Sequence, residues 1–223
     1  MPSTLPKITT HLADISETPA LDAQVLLAHI TKKERAWILA HPELVLSPAQ
    51  EKTLQKALTQ LEKHVPLPYV IGHWEFFGLD FILSPDVLIP RPETEELVER
   101  ALSWLRAGKK KKILDVGTGS GCIPIALARN APDLNLVGVD LSPAALDIAR
   151  QNVAKHANRQ SAESAEVFSE PQRDAWQIDS STIQFAQSDL LANLPLASFD
   201  LITANLPYIP TETLKTLDVY TRE

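Results

Sequence analysis

The spacing of apolar positions divides this chain into three stretches. Over the first seventy residues the spacing is helical. Leu21, Val25, Leu26 and Leu27 suggest one stripe, with Pro19 and Asp22 suited to a first turn. Ala36-Trp37-Ile38-Leu39-Ala40 predicts a second, short helix that Pro42 ends. Ser47-Pro48 reads as an N-cap followed by proline at the first helical position, and Leu54, Leu58 and Leu61 carry that helix toward Pro66. From Val70 to Ile89 the pattern changes. Trp74-Glu75-Phe76-Phe77-Gly78-Leu79-Asp80-Phe81-Ile82-Leu83 is aromatic, β-prone and broken by one glycine, which predicts a short hairpin.

Beyond the hairpin, Pro90-Arg91-Pro92-Glu93-Thr94-Glu95-Glu96 leads into Leu97, Val98, Leu102 and Leu105 at helical spacing. Strand and helix then alternate. Strands are predicted over 112–116, 134–140, 183–187 and 199–204, and helices over 123–129 and from Ser142-Pro143 to about Lys155. Such alternation implies parallel strands joined by helical crossovers, an α/β architecture. The polar stretch between Ala157 and Thr182 reads as a long surface insertion. The expected organisation is a helical bundle over 1–70, a hairpin linker over 71–90 and a Rossmann-like domain over 91–223.

Composition narrows the class without naming a function. With 223 residues, 44% of them hydrophobic and 22% charged, the chain suits a soluble fold of one large and one small domain. A net charge of −7 speaks against bulk nucleic acid as the main partner. The single cysteine, Cys122, excludes an intrachain disulfide and suits a reducing cytosol. Its place near a helix N-terminus would favour a lowered thiol pKa, but a small packing residue fits better. No apolar run reaches the roughly 20 residues that span a bilayer, so a cytoplasmic protein is expected. The six histidines lack metal-ligand spacing, and no metal is expected. Trp37, Trp74, Trp104 and Trp176 read as packing residues, and Lys109 to Lys112 as a solvated loop.

The candidate chemistry gathers at predicted strand ends. Gly117-Thr118-Gly119-Ser120-Gly121 follows one strand and opens a helix, a turn that lets a ligand approach the backbone closely. Asp140 ends the next strand, where a carboxylate can accept from ribose hydroxyls. Together they indicate a cofactor bearing adenosine. The spacing is not G-x-G-x-x-G, and Asp115 lies just before the glycines; both details favour S-adenosylmethionine over a nicotinamide. Asp189 and Leu190 close a further strand and are candidates to meet the adenine. Asn205-Leu206-Pro207-Tyr208 leaves the last predicted strand. An amide nitrogen is a weak nucleophile because its lone pair is delocalised, so a methyl transfer to it depends on positioning. Asn205 offers a side-chain oxygen and the Leu206 carbonyl a second acceptor. Pro207 stiffens the turn, and Tyr208 supplies a flat face.

These residues resemble the release-factor glutamine N5-methyltransferases, the HemK-like family, over nearly the whole chain. The resemblance runs through Leu21-Asp22-Ala23, Ala40-His41-Pro42-Glu43, Val87 to Glu95, Ile113 to Cys122, Val139 to Pro143 and Asn205 to Ile209. The segment from Val87 to Glu95 is the most specific part. The resemblance implies a class I methyltransferase domain behind a helical substrate-recognition domain. It implies methyl transfer from S-adenosylmethionine to the glutamine of the Gly-Gly-Gln motif in peptide chain release factors. Asp115, Gly117, Thr118, Gly119, Ser120, Gly121, Asp140, Asp189, Leu190 and Asn205 would hold the cofactor. Asn205, Leu206, Pro207 and Tyr208 would grip the substrate, with Asn205, Pro207 and Tyr208 as the catalytic set, and Glu93 and Thr94 nearby.

Two departures accompany the resemblance. Leucine stands at position 206, where the family usually has proline. Four strands are predicted where the class has seven, so a truncated chain is expected. Two other functions fit the same residues: an adenine-N6 methyltransferase acting on nucleic acid, and a truncated binding protein without turnover. Neither nucleic acid nor membrane is an expected partner under the leading reading.

Overall fold

The computed structural model describes residues 4–106, 112–131, 133–157, 182–192, 194 and 199–206. They form two compact units, with the boundary between Gly72 and His73. The first contains α1 (Thr4–Leu12), α2 (Pro19–Thr31), α3 (Arg35–Ala40), α4 (Pro48–Leu61) and α5 (Leu67–Ile71). In α2 the buried residues are Ala23, Leu26, Leu27 and Ile30, an i, i+3, i+4, i+7 set. Leu21 was expected in that stripe and is 39% exposed. At about 100° per residue it stands nearly opposite the buried face. Ser47 caps α4 as expected: its hydroxyl accepts from the Gln50 N–H at 3.4 Å, and the Gln50 side chain accepts from the Ser47 N–H at 2.9 Å.

The second unit opens with a hairpin of β1 (His73–Phe76) and β2 (Leu79–Ile82). Its two-residue turn, Phe77-Gly78, has φ of 54° and 71°, the mirror-image geometry that matches the twist of paired strands. Three side chains from later elements hold this hairpin. The Glu95 carboxylate accepts from the Phe77 N–H at 2.7 Å, and Lys155 bridges to Asp80 at 2.7 Å. Asn152, fully buried, accepts from the Ile82 N–H at 2.7 Å and donates to the Ile82 carbonyl at 3.0 Å. Burial would raise the Asp80 carboxyl. Hydrogen bonds from Lys155 and His73 outweigh that and hold it below the usual carboxylate range.

Then follow α6 (Pro92–Arg106), β3 (Lys112–Val116), α7 (Cys122–Asn130), β4 (Asn135–Asp140), α8 (Pro143–Ala157), β5 (Ile183–Gln187) and β6 (Leu201–Ala204). The sheet is parallel throughout, in the order β5-β4-β3-β6. This is the Rossmann-like arrangement that the alternation predicts. Strand β6 starts at Leu201 rather than Phe199. Asp200 closes the start of the pair instead, donating its N–H to the Lys112 carbonyl at 2.7 Å and accepting from the Lys112 N–H at 3.1 Å.

β3 is buried on both faces from Ile113 to Val116, as expected for an inner parallel strand. Leu114, Val116 and Val139 form one core cluster, against which Val137, Leu194, Phe199 and Leu206 pack. The chain runs from β3 outward to β4 and β5, then returns to β6 on the other flank of β3. The sheet therefore reverses its strand order between β3 and β6, and crevices at the carboxyl ends of such strands are where open α/β sheets bind ligands. Gly117 and Asn205 follow those two strands. Residues 158–181 of the expected insertion, Lys109 to Lys111, Trp176, Pro207 and Tyr208 lie outside the described residues.

Candidate functional site

The glycine turn is built by backbone geometry that side chains would obstruct. Gly117 and Gly121 have φ of 68° and 77°, in the left-handed region. A Cβ on Gly121 would stand 3.2 Å from the Ala149 Cβ, so the bare backbone lets α7 and α8 approach closely. A Cβ on Gly117 would stand 2.5 Å from the Leu206 Cδ2. Nothing lies within 4 Å of the corresponding point on Gly119, where the turn is open. Asp140 fixes the turn from the neighbouring strand. Its carboxylate accepts from the Gly119 N–H at 2.9 Å and from the Ser142 N–H at 2.9 Å.

Below the turn sits a buried polar cluster. Asp115 is paired in register with Gly138 on one side and Thr203 on the other. The Thr203 hydroxyl donates to the Asp115 Oδ1 at 2.7 Å. Asp115 Oδ2, Thr118 Oγ1 and Ser120 Oγ are buried without an aligned hydrogen-bond partner among the described residues. Such groups are costly to leave unsatisfied, so their concentration makes this a candidate place for a polar ligand. Burial pushes the Asp115 carboxyl up to about 6. The Thr118 and Thr203 hydroxyls pull it back in part, although the Thr118 oxygen is not in hydrogen-bond alignment, and the Asp140 charge adds to the rise. Gly138 leaves room at this level, because a Cβ there would stand 2.7 Å from the Phe185 ring and 2.8 Å from the Thr118 hydroxyl.

Cys122 is the small packing residue expected of it. Its thiol is pushed up to about 12, first by burial and then by the nearby Asp115 charge. Desolvation overrides the helix N-terminus, and the side chain is a packed, unreactive thiol. Asp189 and Leu190 lie in an exposed turn after β5, with Leu190 at a φ of 49°. The Ser188 hydroxyl donates to the Leu190 and Ala192 carbonyls at 3.1 and 3.0 Å, shaping this turn.

Asn205 follows β6 directly. Its Nδ2 donates to the Thr94 hydroxyl at 2.9 Å, and no donor among the described residues reaches its Oδ1. Leu206 packs on the Leu114-Val116-Val139 cluster while touching Gly117. Parallel register therefore brings Asp115, the glycine turn, Asp140, Asp189, Leu190, Asn205 and Leu206 to one edge of the sheet.

Two supporting residues were not foreseen. Thr203 is a polar residue inside an apolar strand, two positions before Asn205, and that placement was a readable signal. Asn152 sits mid-helix, where asparagine is a poor helix former. It also donates to the Ser120 carbonyl at 2.9 Å, so one side chain joins the hairpin to the glycine turn. Among the described residues no cluster suits a metal ion, and no helix is long and apolar enough to cross a membrane.

Comparison with known proteins supplies the family. The model of the PrmC N-terminal domain matches residues 4–72, and that of the methyltransferase small domain matches residues 98–178. A release factor glutamine methyltransferase of Coxiella burnetii is 36% identical, covering 91% of this chain and 65% of its own length. One from Geobacter sulfurreducens is 35% identical over 93% of this chain and 64% of its own. One from Xylella fastidiosa (strain 9a5c) is 34% identical over 94% and 67%. The chain thus spans about two thirds of the length of these relatives. Among solved structures, human methyltransferase 10 domain containing protein covers 77% of this chain and 68% of its own at 17% identity. Its TM-score is 0.41. Identity at this level over nearly all of the chain decides the matter: it belongs to the release factor glutamine methyltransferase family.

Proposed function

We propose that this chain transfers a methyl group from S-adenosylmethionine to the side-chain amide N5 of the glutamine in the Gly-Gly-Gln motif of peptide chain release factors. The observation that carries the reading is the state of Asn205. Its amide nitrogen is engaged by Thr94 while its carbonyl oxygen is left without a donor among the described residues, beside the glycine turn. An oxygen so placed is suited to accept from the NH₂ of a planar amide. The relatives' name supplies the substrate class, release factors.

The buried polar cluster fits the cofactor. Asp115 Oδ2, Thr118 Oγ1 and Ser120 Oγ offer unsatisfied acceptors and donors for its amino acid end. Gly117 to Gly121 would lie against it, Asp140 would receive its ribose hydroxyls, and Asp189 and Leu190 would flank the adenine. When bound, S-adenosylmethionine supplies an electrophilic methyl group on a sulfonium. The chain's own part is to orient the acceptor. Asn205 Oδ1 and the Leu206 carbonyl would hold the two N–H groups of the acceptor amide, directing its nitrogen lone pair toward the methyl group. Pro207 and Tyr208 would complete the grip. The proton released on methylation passes to water. Most of the acceleration on this reading comes from alignment, not from acid–base chemistry.

The test is methylation by the purified protein of an intact release factor with labelled cofactor, read by mass spectrometry of the Gly-Gly-Gln peptide. One methyl group on that glutamine is the expected result. Label in RNA or DNA would instead favour adenine-N6 transfer, and cofactor binding with no transfer would favour a binding protein.

A further inference from the structure

The segment from Val87 to Glu95 is the most distinctive stretch of the sequence, and the reaction as described gives it no task. We infer that Thr94 is the positioning residue that sets the orientation of the Asn205 amide; this rests on the proposed function, in which Asn205 Oδ1 receives the acceptor glutamine.

The contact joins residues 111 positions apart, from the first turn of α6 to the end of β6, and it is 2.9 Å long. Thr94 is 5% exposed, so water competes little for its hydroxyl. Its helix does not need that oxygen to satisfy the Thr94 N–H, which donates to the Arg91 carbonyl at 2.9 Å. The neighbouring residue anchors the same turn from the other side. The Glu95 carboxylate accepts from the Phe77 N–H in the hairpin, so the start of α6 is fixed before Thr94 meets Asn205.

The chemistry explains why the contact is needed. A terminal amide rotates about a broad torsion and is nearly symmetric in shape, with an acceptor at one end and a donor at the other. If Asn205 turned by half a rotation, it would present N–H groups to the N–H groups of the acceptor glutamine. The hydroxyl can accept or donate, so its contact holds the amide torsion in place, and with Nδ2 engaged at 2.9 Å it is Oδ1 that is left for the acceptor. Threonine suits the role because its branched carbon restricts χ1 and its methyl group fills the rest of a buried site.

The test uses Thr94→Val, which keeps the shape and loses the oxygen, and Thr94→Ser, which restores the oxygen. Protein labelled with ¹⁵N at asparagine, with Asn205→Ala used to assign the Asn205 side-chain signal, reports the contact without any turnover. The expected result is a shifted Asn205 Nδ2 signal in Thr94→Val and a near-native signal in Thr94→Ser. With release factor as substrate, kcat should fall by about tenfold or more in Thr94→Val, the size expected when a reacting group is misaligned. The KM for S-adenosylmethionine should stay within about twofold, and Thr94→Ser should recover most of the rate. An unchanged Asn205 signal in Thr94→Val overturns the inference. So does a shifted signal with unchanged kcat. If the signal shifts but even the unmodified protein methylates no release factor, the contact stands and the proposed function fails.

Discussion

The glycine turn and the Asn205-Leu206 segment lie at the ends of adjacent strands, yet they are held in opposite ways. The glycine turn is local and overdetermined. Its shape follows from three glycines within five residues, and Asp140 ties it from the next strand. It also carries buried oxygens with no hydrogen-bond partner among the described residues, an unfavourable feature that a ligand would relieve. The Asn205-Leu206 segment is held from a distance, by Thr94 through one hydrogen bond and by Leu206 packing on Gly117 and the Leu114-Val116-Val139 cluster. The first is prepared by conformation and the second by imported side chains. A local motif can therefore be intact while its partner turn is misaimed, and substitutions in α6 can affect the chemistry without touching a ligand.

The largest expected effect tests the strained side of this comparison. Asp115 is pushed up to about 6, above its ordinary value of 3.8, so the folded chain keeps a proton that the unfolded chain has released. Between those values its contribution to stability declines as pH rises, and above about 6 the loss is complete, on the order of a few kcal/mol. Urea unfolding of the cofactor-free protein and of Asp115→Asn, at several pH values from 4 to 7, should show curves that separate across that window. Parallel curves would mean that Asp115 is solvated and the turn is not strained.

A middle-sized effect tests whether the two turns are mechanically joined. Gly117→Ala places a methyl group where Leu206 already sits and forces a left-handed φ on alanine. It should destabilise by roughly 1–3 kcal/mol. Leu206→Ala removes the clash but not the backbone strain, so the double variant should recover part of the loss, about 1 kcal/mol in a double-mutant cycle. Strict additivity would show that the contact does not couple them.

The smallest effect concerns the family's usual residue. Leu206→Pro exchanges apolar packing on Leu114, Val116 and Val139 for a stiffer backbone. These changes oppose one another, and the stability should move by less than about 1 kcal/mol. A loss above about 2 kcal/mol in thermal unfolding would show that Leu206 is a structural anchor with no room for the family's proline.

How much could be read in advance follows the same division. The four strands, the capped helix at Ser47 and the glycine turn were legible because each depends on neighbours in sequence. Periodicity placed β3 and β5 to the residue. It misjudged Leu21, because a short apolar cluster can be drawn on more than one helical face. What stayed hidden were partners across the fold. Nothing within the Asn205 segment names Thr94, and nothing around Ser120 names Asn152. Residue type hints at such contacts, as Thr203 in an apolar strand does, but the pairing itself requires the register of the sheet. The Cys122 thiol teaches the converse. A helix N-terminus is visible in sequence, whereas the burial that overrides it is a property of the assembled core.

Asn152 has a consequence beyond support. Its side-chain amide meets both the N–H and the C=O of Ile82, as the peptide group of an added strand would. It is therefore a counterfeit strand one residue long. The free edge of a two-stranded hairpin is a template for further pairing, between copies of the chain or with any extended peptide. At the last peptide of β2 that template is occupied by a side chain that cannot propagate it. Asn152 thus satisfies the outer peptide of β2 from within the chain while tying the hairpin to the glycine turn.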